Sequence, residues 1–196
     1  ISTDYVFDGT KAGSYTEDDP AAPLGVYGQS KWEGDRAVRR LLPRHLIVRV
    51  SWVFGVEGQN FVKTILRLAR EREELRVVAD QHGCPTYAGD IADVLLELVG
   101  RIEEIDARQL WGVYHYAGEP ATTWYEFAAA VLERARPHEK LLARTLTPVG
   151  TADYPTPAAR PANSVLDCSR LGSCFSIYPA SWRDSLATLL FAIHGR

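Results

Sequence analysis

The sequence predicts an α/β protein, with a parallel sheet in its first part and a less regular second part. Three observations carry that prediction. Helical and extended patterns alternate between Tyr27 and Gly118. The run Leu46-Ile47-Val48-Arg49-Val50 is short and apolar, as a strand buried inside a parallel sheet is. Two helix starts carry side-chain caps, Thr123-x-x-Glu126 and Ser181-x-x-Asp184.

In chain order, Ile1 to Phe7 has the composition of a strand tail, and Asp8-Gly9 is a turn signal. Residues 13–23 crowd Gly, Pro, acidic and hydroxyl residues together and read as a surface loop. Tyr27 to Leu42 is rich in helix formers, and Pro43, which lacks an N–H, stops the helix. After the strand at Leu46–Val50, Phe61, Ile65 and Leu68 fall on one helical face, and Leu75 to Ala79 is a strand. Ile91, Val94, Leu95 and Leu98 repeat the helical spacing, and Val113 to Tyr116 is a strand ended by Gly118. The capped helix at Thr123 turns Trp124, Phe127, Val131 and Leu132 inward. Thr147 to Asn163 holds four prolines and reads as a long irregular segment of the kind that forms binding loops. The helix after Ser181 turns Trp182, Leu186, Leu189, Leu190 and Ile193 inward.

Composition excludes several classes. Of 196 residues, 46% are hydrophobic and 24% charged, with a formal net charge of -3, so the excess of Lys and Arg that drives nucleic-acid binding is absent. No stretch is apolar for the length of a membrane span, and nothing at the start reads as a signal peptide. Cys84, Cys168 and Cys174 contain no CxxC pair, which argues against a disulfide framework or a zinc site and for the cytoplasm. His82 and His115 have no second ligand at metal spacing, so no metal is expected. There is no Met, and Ile1 reads as a position inside a longer protein.

The chemistry centres on Tyr27-Gly28-Gln29-Ser30-Lys31, where Tyr27 and Lys31 share a helical face at i and i+4. A phenol is a poor proton exchanger at neutral pH, and an ammonium beside it favours the phenolate. A thousandfold change in the ionisation constant, about 4 kcal/mol, would bring such a phenol into the operating range. The spacing alone better describes a tyrosine packed on a solvated lysine. Context favours chemistry: Ser2-Thr3-Asp4-Tyr5-Val6-Phe7-Asp8-Gly9 precedes the pair and Arg49-Val50-Ser51-Trp52-Val53-Phe54-Gly55 follows it. Both belong at the carboxyl edge of a parallel sheet, where open α/β sheets place ligands.

These two runs, YGQSK, Gln81-His82-Gly83-Cys84-Pro85-Thr86 and Arg160-Pro161-Ala162-Asn163-Ser164 together resemble the extended short-chain dehydrogenase/reductases. Within them, the closer likeness is to the dTDP-4-dehydrorhamnose reductase family. The resemblance runs from residue 1 to the end. It implies the C-terminal part of an NAD(P)-binding Rossmann-type sheet plus a smaller, less regular α/β substrate-binding domain. It implies a discontinuous division, with 1–55 and 88–118 as the remainder of the cofactor domain and 56–87 and 119–196 as the substrate domain. The implied reaction is reduction of the C4 keto group of dTDP-4-dehydro-L-rhamnose to dTDP-L-rhamnose.

By that resemblance Tyr27 is the proton donor, Lys31 lowers its pKa and holds the nicotinamide ribose, and Thr3 polarises the carbonyl, ahead of Ser2. Asp4 and Trp52 contact substrate, and Arg160 has a fork suited to phosphate. Each residue also has a plainer reading: Thr3 as a strand-end partner, Asp4 as a turn cap, Trp52 as core, Arg160 in a surface ion pair. The implied cofactor is NADPH or NADH and the partner a small-molecule sugar nucleotide, with no nucleic acid, no membrane and room for a homodimer. The family's interfacial magnesium site uses acidic residues, and Leu186 to Arg196 contains none. No glycine-rich turn for the cofactor pyrophosphate is present, so the resemblance implies about a hundred residues ahead of Ile1 that carry it. Two alternatives stay open: a non-catalytic binding subunit of the same fold, like the regulatory subunit of methionine adenosyltransferase, and another extended-type epimerase or dehydratase.

Overall fold

The computed structural model describes residues 1–195; Arg196, the last residue of the expected substrate domain and of the acid-free C-terminal run, lies outside the described residues. The chain begins with β1 (Ser2–Thr3), a 3-10 turn at Asp4–Val6 and, after a loop, α1 (Val26–Leu41). Then come β2 (Leu46–Val50), β3 (Val53–Phe54), α2 (Phe61–Glu71), β4 (Glu74–Val78), β5 (His82–Gly83) and β6 (Thr86–Tyr87). The helices α3 (Ala88–Gly100) and α4 (Ile102–Arg108) lead to β7 (Gly112–His115), β8 (Thr122–Thr123) and α5 (Trp124–Ala135). The remainder is β9 (Thr145–Val149), a 3-10 turn at Thr151–Asp153, α6 (Ser169–Phe175) and α7 (Trp182–His194).

The main sheet is parallel, in the order β1-β2-β7, with Thr3 opposite Val50 and Arg49 opposite His115. Alternation along β2 separates its two faces. Val48 and Val50, with Tyr114 and Tyr116, pack on Ile91, Val94 and Leu98 of α3 and on Leu171 and Phe175 of α6. The opposite face is polar at its centre. Arg49 Nε donates to Asp35 Oδ2 of α1 at 3.2 Å, and the guanidinium lies 5.3 Å from the Phe7 ring centroid and 5.6 Å from that of Trp32. Beside it His115 Nδ1 pairs with the Tyr15 carbonyl at 3.1 Å, and burial, with Arg49 nearby, pushes the imidazole down to about 3.

A second core joins the other half. Phe54, Val62, Ile65, Leu66, Leu75, Trp124, Phe127, Val131, Trp182, Leu186 and Leu189 interdigitate where α2, α5 and α7 meet. The expected caps are in place: Thr123 and Glu126 form a full capping box, and Ser181 accepts the Asp184 N–H. The pattern reading placed no element at α4 or at the two-residue strands β3, β5, β6 and β8, and it departs at three further elements. The strand expected over Ile1–Phe7 ends at Thr3, because the Thr3 hydroxyl takes the Tyr5 N–H and the chain tightens into a 3-10 turn. A strand, β9, occupies part of the expected irregular segment; Pro148 is tolerated there because, among the described residues, β9 pairs with β4 alone and is an edge strand. The short helix α6 lacks a full apolar repeat and takes its shape from packing on the sheet. Among the described residues no helix is long and apolar enough to cross a membrane.

Candidate active site

The site begins at the carboxyl end of β1. Thr3 is buried, its Oγ1 accepting the Tyr5 N–H at 3.3 Å and donating to Asp4 Oδ1 at 3.0 Å. Asp4 is 3% exposed, and its Oδ2, like the buried Ser2 hydroxyl, has no hydrogen-bond partner among the described residues. Burial pushes the Asp4 carboxyl up to about 7, with the Ser164 and Thr3 hydroxyls and the Asp4 and Tyr5 N–H groups opposing that rise. Burial, then the charge of Asp4, pushes the Tyr5 phenol up to about 12, so Tyr5 stays a neutral donor.

The start of α1 is pressed onto this turn. At Gly28 a Cβ would overlap the Tyr5 carbonyl oxygen, so the glycine in YGQSK is what allows the helix to approach. That approach sets Tyr27 edge-on to Tyr5, with ring centroids 6.3 Å apart, and leaves Tyr27 58% exposed. Lys31 Nζ donates to the Ile1 carbonyl at 2.7 Å. Tyr27 therefore lies against the turn that follows β1 and Lys31 against the residue that precedes it, with no hydrogen bond among Thr3, Tyr27 and Lys31 in the described residues.

Tyr5 also lines a cavity of about 610 Å³, together with Trp52, Phe61, Gln81, Trp124, Arg160 and others. Trp52 has φ +44 and stacks on Trp124 with ring centroids 3.5 Å apart and planes 7° apart. Its indole also leaves no room for a Cβ at Gly83. Trp52 is thus both core and wall. Arg160 is exposed, 6.0 Å from the Trp124 ring centroid, with its charge acting on Tyr5. The pattern reading did not single out Tyr5, Gly28, Gln81, Trp124 or Ser164 as site residues. Tyr5 and Gly28 sat inside motifs already noted, whereas Trp124 was indistinguishable from the stripe of its helix.

A parallel sheet with a Tyr/Lys helix beside the carboxyl end of one strand, and an aromatic cavity next to it, defines a Rossmann-type α/β protein. The chain belongs to the family described as the RmlD substrate binding domain, whose model matches residues 1–194. It is 48% identical over 191 residues to a dTDP-4-dehydrorhamnose reductase of Aggregatibacter actinomycetemcomitans, covering 96% of this chain and 64% of that protein. It is 42% identical over 190 residues to the dTDP-4-dehydrorhamnose reductase of Escherichia coli K12, with coverage of 96% and 63%. The crystal structure of a Bacillus anthracis dTDP-4-dehydrorhamnose reductase in complex with NADP superposes with a TM-score of 0.86 at 35% identity, over 97% of this chain and 64% of that one. The chain spans less than two thirds of the length of these relatives.

Proposed function

We propose that the protein carrying this chain reduces the C4 keto group of dTDP-4-dehydro-L-rhamnose to the alcohol of dTDP-L-rhamnose, with hydride from NADPH or NADH. The observation that supports the reading is that the start of α1 packs along β1 and the turn after it, Lys31 bonding the Ile1 carbonyl and Tyr27 meeting Tyr5, which also lines the Trp52/Trp124 cavity. The exposed phenol and the amine fit a ribose arriving from solvent. Tyr27 and Lys31 would hold the cofactor there, and the cofactor supplies the hydride.

The chain's own residues do the rest. Tyr27 hands its proton to the carbonyl oxygen as C4 is reduced, and the Lys31 ammonium stabilises the phenolate left behind. Thr3 donates a hydrogen bond to the same oxygen. Asp4, which the resemblance makes a sugar contact, is buried and acts instead on the Thr3 hydroxyl that donates to its Oδ1. Trp52, held by Trp124, forms the apolar wall, and Arg160 takes a phosphate on its fork. The division into 1–55 with 88–118 and 56–87 with 119–196, a homodimer and a cytoplasmic site of action belong to the same proposal.

The test is turnover of dTDP-4-dehydrorhamnose by the full-length protein, followed through nicotinamide absorbance. Tyr27→Phe is expected to lower kcat by about 10² to 10⁴ with little change in KM. Near-normal turnover in that variant would remove Tyr27 from its role. No turnover by the unmutated protein would hand the site to the binding-subunit reading.

A further inference from the structure

We propose that Asp4 is a positioning residue that sets the direction of the Thr3 hydroxyl proton, so that Thr3 reaches the substrate carbonyl only when the Asp4 carboxyl is itself protonated. The proposal rests on the assignment of Thr3 to the carbonyl made above. A threonine hydroxyl has one proton and two lone pairs. Here one lone pair accepts the Tyr5 N–H and the proton goes to Asp4 Oδ1. A carboxylate only accepts, so while Asp4 is ionised the proton stays committed to it, and a carbonyl oxygen beside Thr3 would meet a lone pair. Once Asp4 carries a proton on Oδ1, it donates to Thr3 Oγ1. Thr3 then accepts from Asp4 and from the Tyr5 N–H, and its own proton turns to the carbonyl. Every donor and acceptor of the hydroxyl is used, and no proton changes owner.

The surroundings suit that switch to neutral pH. Asp4 is 3% exposed, and burial disfavours the charged form by more than the hydrogen bonds around it favour it. Its carboxyl stands at about 7. The groups facing it are Thr3 and Tyr5 from its own turn, Cys84 from the segment between β5 and β6, and Ser164 from the loop before α6. Tyr27 of α1 and Arg160 act on the neighbouring Tyr5.

The experiment is the pH profile of kcat/KM for dTDP-4-dehydrorhamnose with the full-length protein, paired with an infrared titration of the carboxyl region. In the unmutated protein kcat/KM is expected to fall about 10- to 100-fold as pH rises through 7, towards the level of Thr3→Val, which has no proton to donate. Thr3→Val and Asp4→Asn should both lack that inflection, the first because the donor is gone and the second because nothing titrates. The infrared spectrum should show a protonated-carboxyl band at pH 5 that fades with a midpoint near 7 and is missing in Asp4→Asn. A band already absent at pH 5, or an unchanged inflection in Asp4→Asn or Thr3→Val, would overturn the proposal while leaving turnover, and hence the assigned reaction, intact. If Asp4→Asn does not fold, the wild-type band and the Thr3→Val profile still decide. Absence of turnover at every pH would remove the reaction itself and the proposal with it, whatever the band does.

Discussion

Asp4 and His115 are two buried titratable groups that the fold drives in opposite directions, and stability should show both. An aspartate carboxyl ordinarily titrates near 3.8 and here stands at about 7, so between those values the folded chain keeps a proton that the unfolded chain has lost. Stability therefore falls as pH rises through that window, by on the order of 4 kcal/mol in all. His115 stands at about 3 against an ordinary 6.5, so there the unfolded chain holds the extra proton and stability rises over that window. The two slopes oppose each other between about pH 4 and 6.5 and largely cancel. Asp4→Asn is expected to stabilise the protein at pH 8, to make no difference below pH 4, and to uncover the rise due to His115; urea midpoints across pH measure all three. Equal midpoints for mutant and parent at pH 8 would show that burial does not raise the Asp4 carboxyl. Thr3, Asp4, Tyr27 and Lys31 were legible as candidates because their chemistry and spacing stand in the sequence. That Thr3 spends its proton on Asp4 was not legible, since it depends on a 3-10 turn that begins one residue after a strand of two.

At the scale of elements, α1 carries its own control. Gly34 lies in the interior of the helix with open space around its Cα, whereas a Cβ at Gly28 would overlap the Tyr5 carbonyl oxygen. Gly34→Ala should stabilise the protein by about 0.5 to 1 kcal/mol through helix propensity alone. Gly28→Ala gains the same propensity but has to lift α1 from the turn, at a cost of about 1 to 3 kcal/mol, and should lower kcat because Tyr27 moves with it. Denaturant midpoints and turnover separate the two; equal stabilisation by both would mean that α1 is not in contact with the turn. Thr123→Ala, which opens the capping box of α5, should cost about 1 kcal/mol. Caps, prolines and helical stripes located the longer helices and strands within a residue or two because those signals are local, and left α4 and the two-residue strands unread. β9 was hidden by Pro148, and α6 by having only Leu171, Gly172 and Phe175 to bury. Both are shaped by what they pack against, which no local pattern records.

Over the whole molecule, the candidate site stands where separately packed parts meet, and its geometry depends on how they are joined. The helix carrying Tyr27 and Lys31 has few buried residues of its own, Gly28 and Asp35. Besides the Lys31 bond to the Ile1 carbonyl, it is held by the buried ion pair of Asp35 with Arg49, whose guanidinium lies near Phe7 and Trp32 with Nη1 unpartnered among the described residues. Asp35 lies eight residues beyond Tyr27, about 12 Å along the helix. A buried pair of this kind adds little net stability over apolar groups of the same shape, but removing one member strands a charge. Asp35→Ala should therefore cost about 3 to 5 kcal/mol, and Asp35→Leu with Arg49→Met should recover most of it. Function should follow a different course. The double variant restores packing without the directional bond, so it is expected to regain stability while kcat stays below the parent value and KM for the sugar nucleotide changes little, because the cavity is built on the other core. Recovery of kcat in step with stability would show that packing alone aims α1. A loss under about 1 kcal/mol in Asp35→Ala would show that the helix is held elsewhere.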